Sequence, residues 1–228
     1  MKIALIGYGK MGRIIETLAQ EKGDVIVARI DETNAEDLTE QLKPADAAID
    51  FSNAEAVKRN VEACLSANIP LVEGTTGWNA RKEEIRQIIE SQNGAFVFGA
   101  NFSVGVNLFY RIADFASELF AKFDDYEAFI EEQHHSLKKD APSGTALKLK
   151  EIVSNHITKD FSVSATRAGN IPGTHRVGFD GAADQILLEH FARSREGFAS
   201  GAILAAHWII GRKGFYEFTD VIDEVLKQ

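Results

Sequence analysis

Residues 2–12, KIALIGYGKMG, decide the fold of this 228-residue chain. The apolar run 2–6 is typical of a buried strand, and a Gly-x-Gly-x-x-Gly motif (Gly7, Gly9, Gly12) separates it from a helical pattern that follows. In a strand–turn–helix unit this motif allows a tight turn, close approach of a pyrophosphate and close packing of helix on strand. N–H groups at the helix start favour the anion. We therefore predict a dinucleotide site here; a glycine turn that binds no dinucleotide is the alternative.

Apolar runs and helical patterns alternate through the first hundred residues. This alternation is typical of βαβ units and predicts a mostly parallel sheet with right-handed crossovers. The predicted strands are 2–6, 25–30, 45–49, 69–72 and 95–98, and the predicted helices between them end near Lys22, Ala67 and Ser91.

The pattern changes after residue 100. A helix is predicted over 104–120, a strand over 126–132 and a helix over 143–157. Three strand-like runs follow without intervening helices, which favours an antiparallel or mixed sheet. Those runs are 161–168, 174–180 and 184–192, and helices are predicted at 199–211 and 219–226.

The sequence therefore predicts an α/β protein of two domains. Residues 1–103 form a Rossmann-like parallel-sheet domain that binds a dinucleotide. Residues 104–207 form an α+β domain with a mixed sheet, which binds substrate.

Polar loops follow three of the strands predicted for the first domain. Asp31 lies where an acid would accept hydrogen bonds from the adenosine ribose, and with Glu32 it would repel a 2′-phosphate, so we predict that NADH is preferred. Arg29 leaves room for NADPH as well. Ligands of open α/β sheets bind beyond the carboxyl ends of the strands, and each further loop has a simple turn as its alternative. The further candidate cofactor residues are Gly74, Thr75, Thr76, Ala100, Asn101 and Phe102.

Composition limits the classes of function. The formal net charge of −9 argues against a nucleic-acid-binding protein, because such proteins carry basic surfaces. Cys64 is the single cysteine, so no disulfide forms within the chain. The N-terminal apolar run is too short to span a bilayer. We expect a cytoplasmic protein with no membrane partner.

Residues 131–149, EEQHHSLKKDAPSGTALKL, concentrate cationic and hydrogen-bonding groups. His134 and His135 supply imidazoles, a side-chain type suited to proton transfer near neutrality. Lys138 and Lys139 add positive charge, and the Pro-Ser-Gly-Thr run opens a helix whose free amides suit a carboxylate. We predict a pocket for a small dianion beside a proton donor; two structural histidines are the alternative. The histidines and the cysteine show no metal-ligand spacing, so no metal site is predicted.

This segment resembles the signature E-x-H-H-x-x-K-x-D-x-P-S-G-T-A of the dihydrodipicolinate reductase (4-hydroxy-tetrahydrodipicolinate reductase) family. GYGKMGR, IDFS, EGTTGW, NFSVGVN and RAGNIPGTH resemble further stretches of that family in the same order. The resemblance covers nearly the whole chain. It implies NAD(P)H-dependent reduction of 4-hydroxy-2,3,4,5-tetrahydrodipicolinate to tetrahydrodipicolinate, on the diaminopimelate route to lysine, by a homotetramer. It also implies that residues 104–207 make the oligomer contacts and that residues 208–228 complete the dinucleotide-binding domain.

The resemblance also implies the role of individual residues. His134 takes the position of the catalytic proton donor and acceptor, and Lys138 that of the proton donor. His135, Gly144 and Thr145 take positions that bind the substrate carboxylates. The cofactor positions are Gly7, Tyr8, Gly9, Lys10, Met11, Gly12, Asp31, Gly74, Thr75, Thr76, Ala100, Asn101 and Phe102.

Two other functions remain open from the residues. Another two-domain NAD(P)-dependent oxidoreductase would share the first domain but has no need for the His-His-x-x-Lys and Ser-Gly-Thr groups. A redox sensor that binds NADH and a partner has no use for a proton donor. Arg167, in the turn-rich stretch 167–175, belongs either to a surface loop or to the active site or an intersubunit contact.

Overall fold

The computed structural model describes residues 1–227. In chain order its elements are β1 (Lys2–Ile6), α1 (Lys10–Glu21), β2 (Val25–Ile30), α2 (Leu38–Leu42), β3 (Ala47–Asp50), α3 (Val57–Ser66), β4 (Leu71–Glu73), a 3₁₀ turn (Asn79–Arg81), α4 (Lys82–Ser91), β5 (Ala95–Phe98), α5 (Val104–Phe120), β6 (Glu127–His134), α6 (Gly144–Ser154), β7 (Ser162–Arg167), β8 (Thr174–Asp180), β9 (Gln185–Phe191), α7 (Glu196–Ile209), β10 (Gly214–Glu217) and α8 (Phe218–Val225).

The chain divides into two compact units. The first comprises Met1–Val104 and the C-terminal segment from Arg195, and the second is Gly105–Ser194. The first boundary lies one residue from the predicted one, but the chain returns to the first unit at Arg195 rather than at 208. The reason is α7, which packs against α1 and the strands β3, β4 and β5 of the first unit.

The first unit contains a parallel six-stranded sheet in the order β10-β5-β4-β3-β1-β2. Strands β3, β4 and β5 are buried throughout, as expected where helices cover both faces of a parallel sheet. The strand order reverses between β1 and β3, and ligands of such sheets bind at that point, beyond the carboxyl ends of the strands. The Rossmann-like parallel sheet is confirmed.

The second unit contains a mixed four-stranded sheet in the order β7-β6-β8-β9. β6 runs parallel to β7 and antiparallel to β8, and β8 runs antiparallel to β9. One core joins helices α5 and α6 to the sheet; it includes Phe109, Ala113, Ile130, Leu149, Val153, Val177 and Phe179. The α+β domain with a mixed sheet is confirmed.

No helix within residues 1–227 is both long enough and apolar enough to span a membrane.

Candidate active site

The glycine motif forms the turn between β1 and α1. Gly7 has a φ of +87°, and a side chain there would overlap the carbonyl of Phe51, while one at Gly12 would overlap the carbonyl of Gly7. A Cβ at Gly9, by contrast, would meet nothing within 4 Å. α1 begins at Lys10 without a side-chain cap. The turn is therefore closely packed on its inner side and open at Gly9, where a pyrophosphate can approach backbone amides.

The end of β2 carries an ionised acid. Asp31 is exposed and accepts hydrogen bonds from the Thr33 amide (2.8 Å) and hydroxyl (2.6 Å). These bonds from Thr33 hold the pKa of the Asp31 carboxyl below its usual range. Arg29 forms a close ion pair with Glu16, which also accepts a hydrogen bond from the Tyr8 hydroxyl. The cation nearest in sequence to Asp31 is thus already neutralised by a carboxylate.

The loops after β4 and β5 lie at the same edge of the sheet, because the strands are parallel. Thr75 donates its amide hydrogen to Glu73 (2.7 Å) and accepts at its hydroxyl from the Ser52 amide (3.1 Å). Thr76 and Ala100 are exposed, Gly74, Thr75 and Asn101 are half-buried, and Phe102 is buried. Phe102 packs on the rings of Phe51 and Phe218, so it supports this edge from beneath.

In the second unit, His134 ends β6 in a buried polar network. Its Nδ1 contacts Glu132, two residues earlier on the same face of the strand. Glu132 is 1% exposed and also accepts from Arg167 Nη2 (2.6 Å) and the Ser143 amide (3.1 Å). Three donors thus converge on one carboxylate, which holds the imidazole in a fixed orientation.

The charge state of this pair follows from its surroundings. Burial alone would raise the pKa of the Glu132 carboxyl, but Arg167, the Ser143 amide and His134 outweigh it, so the pKa lies below its usual range. Burial lowers the pKa of His134, although the Glu132 carboxylate opposes the shift. At neutral pH the pair is therefore a carboxylate hydrogen-bonded to a neutral imidazole, whose Nδ1 carries the proton.

Ser143 and His175 form a second layer behind His134. The Ser143 hydroxyl caps α6 by accepting from the Ala146 amide (3.2 Å) and lies 3.1 Å from His175 Nε2. The rings of His134 and His175 are edge-to-face with centroids 5.1 Å apart. Burial, reinforced by repulsion from His134, lowers the pKa of His175 to about 4. His175 is therefore neutral at neutral pH.

The loop between β6 and α6 carries the remaining predicted residues. Lys138 is 26% exposed and pairs with Asp140 at 2.8 Å, and its amide closes a turn onto the carbonyl of half-buried His135 (3.1 Å). Gly144 begins α6, and a Cβ there would meet nothing within 4 Å. Thr145 interacts with the phenol of Tyr110. The helix start at Gly144 is thus open to a ligand on the same loop that presents Lys138.

Glu132, His134 and His175 also have ligand atoms within 4.8 Å of one another. This spacing would suit a metal ion, but Glu132 already binds the Arg167 guanidinium, His134 and the Ser143 amide. A fixed cation beside the carboxylate disfavours a second one. We therefore describe the group as a hydrogen-bonded network.

The sequence patterns predicted no role for Glu132 or His175. They also did not predict that Ser143 contacts His175. Strand periodicity was the available signal, because Glu132 and His134 are two apart and share one face of β6. Arg167 joins the network although it is distant in sequence, since β7 runs parallel to β6 and pairs it with His134.

Two protein-family models together match nearly the whole chain. Residues 1–102 match the model of the N-terminal part of dihydrodipicolinate reductase, and residues 105–222 match that of its C-terminal part. The chain belongs to the dihydrodipicolinate reductase family. The resemblance inferred from the motifs is thereby confirmed.

Individual relatives cover the whole chain. A 4-hydroxy-tetrahydrodipicolinate reductase of Christiangramia forsetii is 35% identical over 240 residues, with 100% of both chains covered. One from Thermosipho africanus is also 35% identical, covering 98% of this chain and 99% of its own.

Solved structures share the fold. A dihydrodipicolinate reductase from Paenisporosarcina sp. TG-14, determined with dipicolinate bound, has a TM-score of 0.78 at 22% identity and covers 96% of this chain and 98% of its own. A scyllo-inositol dehydrogenase from Lactobacillus casei has a TM-score of 0.57 at 12% identity, covering 100% of this chain and 88% of its own. The fold alone therefore does not select the substrate.

Proposed function

We propose that this chain reduces 4-hydroxy-2,3,4,5-tetrahydrodipicolinate to tetrahydrodipicolinate with NADH or NADPH, on the diaminopimelate route to lysine. The observation that carries the proposal is the buried Glu132–His134 pair at the end of β6, followed by the loop that presents Lys138 and by the open start of α6. Family membership and the relatives' names support the same reaction.

The reaction consumes one hydride and one proton and releases one water. Loss of the C4 hydroxyl as water leaves a conjugated dihydropyridine dicarboxylate, and the bound cofactor supplies the hydride that adds at C4. A proton then completes the product. The protein must therefore bind two carboxylates, hold a proton donor close by and exclude bulk water.

The second unit supplies these functions. We assign His134 as proton donor and acceptor and Lys138 as proton donor. Glu132 holds His134 by Nδ1, which leaves Nε2 for exchange with the substrate. His135, Gly144 and Thr145 would bind the carboxylates, and Lys138 adds the positive charge that stabilises negative charge developing on the ring.

The first unit fits the dinucleotide. The inner side of the glycine turn is filled by Phe51, and the position at Gly9 is open. We propose that the pyrophosphate binds the turn of Gly7, Tyr8, Gly9, Lys10, Met11 and Gly12, and that Asp31 binds the adenosine ribose. Further contacts would come from Gly74, Thr75, Thr76, Ala100 and Asn101, with Phe102 behind them.

We further propose that NADH is preferred. Asp31 is ionised, and Arg29 is paired with Glu16 rather than free to meet a 2′-phosphate. A phosphate placed beside Asp31 would therefore be repelled. We also propose a cytoplasmic homotetramer, as the family resemblance implies.

A coupled assay tests the activity. The preceding synthase makes the substrate from pyruvate and aspartate semialdehyde, and absorbance at 340 nm is followed with NADH and NADPH in parallel. We expect synthase-dependent oxidation with both and the larger kcat/KM with NADH. No oxidation by a folded protein that binds NADH would favour the sensor or another oxidoreductase, and a larger value with NADPH would refute the preference.

A further inference from the structure

Two carboxyl groups that the proposed chemistry does not use are buried side by side in the first unit. Asp50 is the last residue of β3 and Glu73 the last of β4, and the two are partners in the parallel register. Both are 0% exposed. Buried acids without a cationic partner are costly. These two lie at the carboxyl ends of their strands, the edge of the sheet at which the cofactor is proposed to bind.

Each carboxyl group holds the start of the loop that follows it. Asp50 accepts from the Ser52 amide (2.8 Å) and the Asn60 side-chain amide (2.6 Å). Glu73 accepts from the Thr75 amide (2.7 Å) through Oε1. The Ser52 amide also reaches the Thr75 hydroxyl (3.1 Å). The pair thereby ties the loop after β3 to the loop after β4.

The donors around the pair are distributed unequally. Within residues 1–227, Oε2 of Glu73 receives no N–H or hydroxyl hydrogen bond, whereas both oxygens of Asp50 do. The two side chains interact with each other directly. Two adjacent buried carboxylates do not both ionise readily, so one proton belongs on Glu73 Oε2, from which it is donated to Asp50.

We propose that Asp50 and Glu73 share this proton and act as a positioning pair for the dinucleotide site. With the proton present, Glu73 and Asp50 are held together, and they fix Thr75 and Ser52 at the carboxyl edge of the sheet. Loss of the proton sets two negative charges against each other and loosens both loops. The inference rests on the proposed placement of the cofactor at Thr75.

The surroundings of the pair favour the protonated form. Burial, followed by the charge of Asp50, raises the pKa of Glu73 well above its usual range. Cys64 on α3 is a third titratable group nearby, and burial together with both acids raises the pKa of its thiol, so it stays neutral. β5 places Phe98 beside Glu73, β1 places Ile6 beside Asp50, and α7 packs buried alanines against these strands.

The test measures the dissociation constant of NADH by calorimetry between pH 6 and pH 9. If binding requires the shared proton, affinity of the wild type falls by about tenfold per pH unit once the pair has titrated. Glu73→Gln keeps an acceptor for Thr75 and offers an N–H to Asp50 at every pH. We expect it to bind NADH as the wild type does at pH 6 and to show no such fall.

Glu73→Leu tests whether the hydrogen-bonding groups of residue 73 are needed, or only the space that its side chain fills. It removes the acceptor for Thr75, so we expect weak NADH binding at every pH, whereas Glu73→Gln is expected to bind well. Three results would each overturn the proposal. The first is equal NADH affinity of Glu73→Leu and Glu73→Gln, and the second is an equal fall of NADH affinity with pH in Glu73→Gln and the wild type. The third is a wild type whose NADH affinity is constant from pH 6 to pH 9.

Urea unfolding gives a readout that does not depend on the cofactor. Above the ordinary carboxyl value of 4.5 the unfolded chain has released the proton that the folded protein keeps, so wild-type stability falls as pH rises toward the raised pKa of Glu73. Glu73→Gln should lose this part of the pH dependence. A wild type that shows this dependence but binds no NADH would refute the cofactor placement and the positioning role with it, while leaving the shared proton established.

Discussion

The Glu132 carboxylate decides which nitrogen of His134 is available for chemistry. Because Nδ1 contacts Glu132, the exchangeable position is Nε2. A Cβ at Gly173 would lie 3.1 Å from that nitrogen, and Gly173 has a φ of +149°. A glycine at this position therefore leaves the Nε2 side of the imidazole uncovered.

Substitution of the two proton-transfer residues tests their assignment. We expect His134→Ala and Lys138→Ala each to lower kcat by about 10²–10⁴-fold, because a positioned proton donor contributes on that scale. NADH binding should persist, since both residues lie in the second unit. Lys139→Ala removes the neighbouring exposed charge and serves as the control. Near-normal turnover of either variant would contradict its role.

The charge of Glu132 should be visible in the titration of His134. Burial lowers the pKa of His134 and the Glu132 carboxylate opposes this, so Glu132→Gln should lower the pKa further. NMR titration of the imidazole measures the shift. Glu131→Gln is the matched control, because Glu131 is adjacent on β6, points to the other face and pairs with Arg176. An unchanged or raised pKa in Glu132→Gln would contradict the contact.

At the scale of elements, the glycine turn contains one glycine that the fold requires and another that the proposed cofactor site requires. Gly7→Ala should cost more than about 1 kcal/mol of stability, because φ is positive and a side chain would overlap Phe51. Gly9→Ala should change stability by less than about 0.5 kcal/mol, since a Cβ there meets no protein atom. We expect it instead to weaken NADH binding by about tenfold or more.

Chemical denaturation and NADH titration of both variants measure these effects. Gly23→Ala is a control for positive φ alone, because Gly23 has a φ of +84° and open space around it but lies at the far end of α1. Unchanged NADH affinity in Gly9→Ala would show that the pyrophosphate does not approach this turn.

Most elements were predictable because their periodicity reflects burial. The strands 2–6, 25–30, 95–98 and 174–180 have the predicted ends. α2 and β10 were missed. α2 has only five residues, and β10 is four residues beginning with a glycine, GFYE, so neither is long enough to show a period. β10 is a strand because β5 offers it a parallel edge, which no local pattern reveals.

At the scale of the whole molecule, β9 presents apolar side chains that a monomer would leave in water. Leu187 and Phe191 are exposed on one face of this edge strand. We expect them to lie in the interface of the proposed homotetramer. Light scattering should give four times the chain mass of 25.1 kDa. Leu187→Glu should yield smaller species. Lys122→Glu, in the turn after α5, serves as the control. A monomeric wild type would contradict the interface.

The two units differ in how much of the candidate site could be predicted from the sequence. In the first, the glycine motif and Asp31 stand close in sequence, so a dinucleotide site follows from spacing alone. In the second, His134 and Lys138 were predicted together because they stand four residues apart in one segment of the sequence. Glu132, Arg167 and His175 meet only because β7 and β8 both pair with β6. Such a network depends on strand pairing, which sequence spacing does not encode.

The most direct test of the proposed reaction traces the transferred hydrogen atom from the cofactor to the product. NADH carrying deuterium at nicotinamide C4, on the face that the enzyme uses, is supplied with the synthase-generated substrate, and the product is examined by NMR. Transfer of one deuterium to C4 of tetrahydrodipicolinate is the predicted result. Oxidation of the cofactor without deuterium at C4, or the absence of oxidation with labelled NADH and NADPH alike, would contradict the proposed reaction.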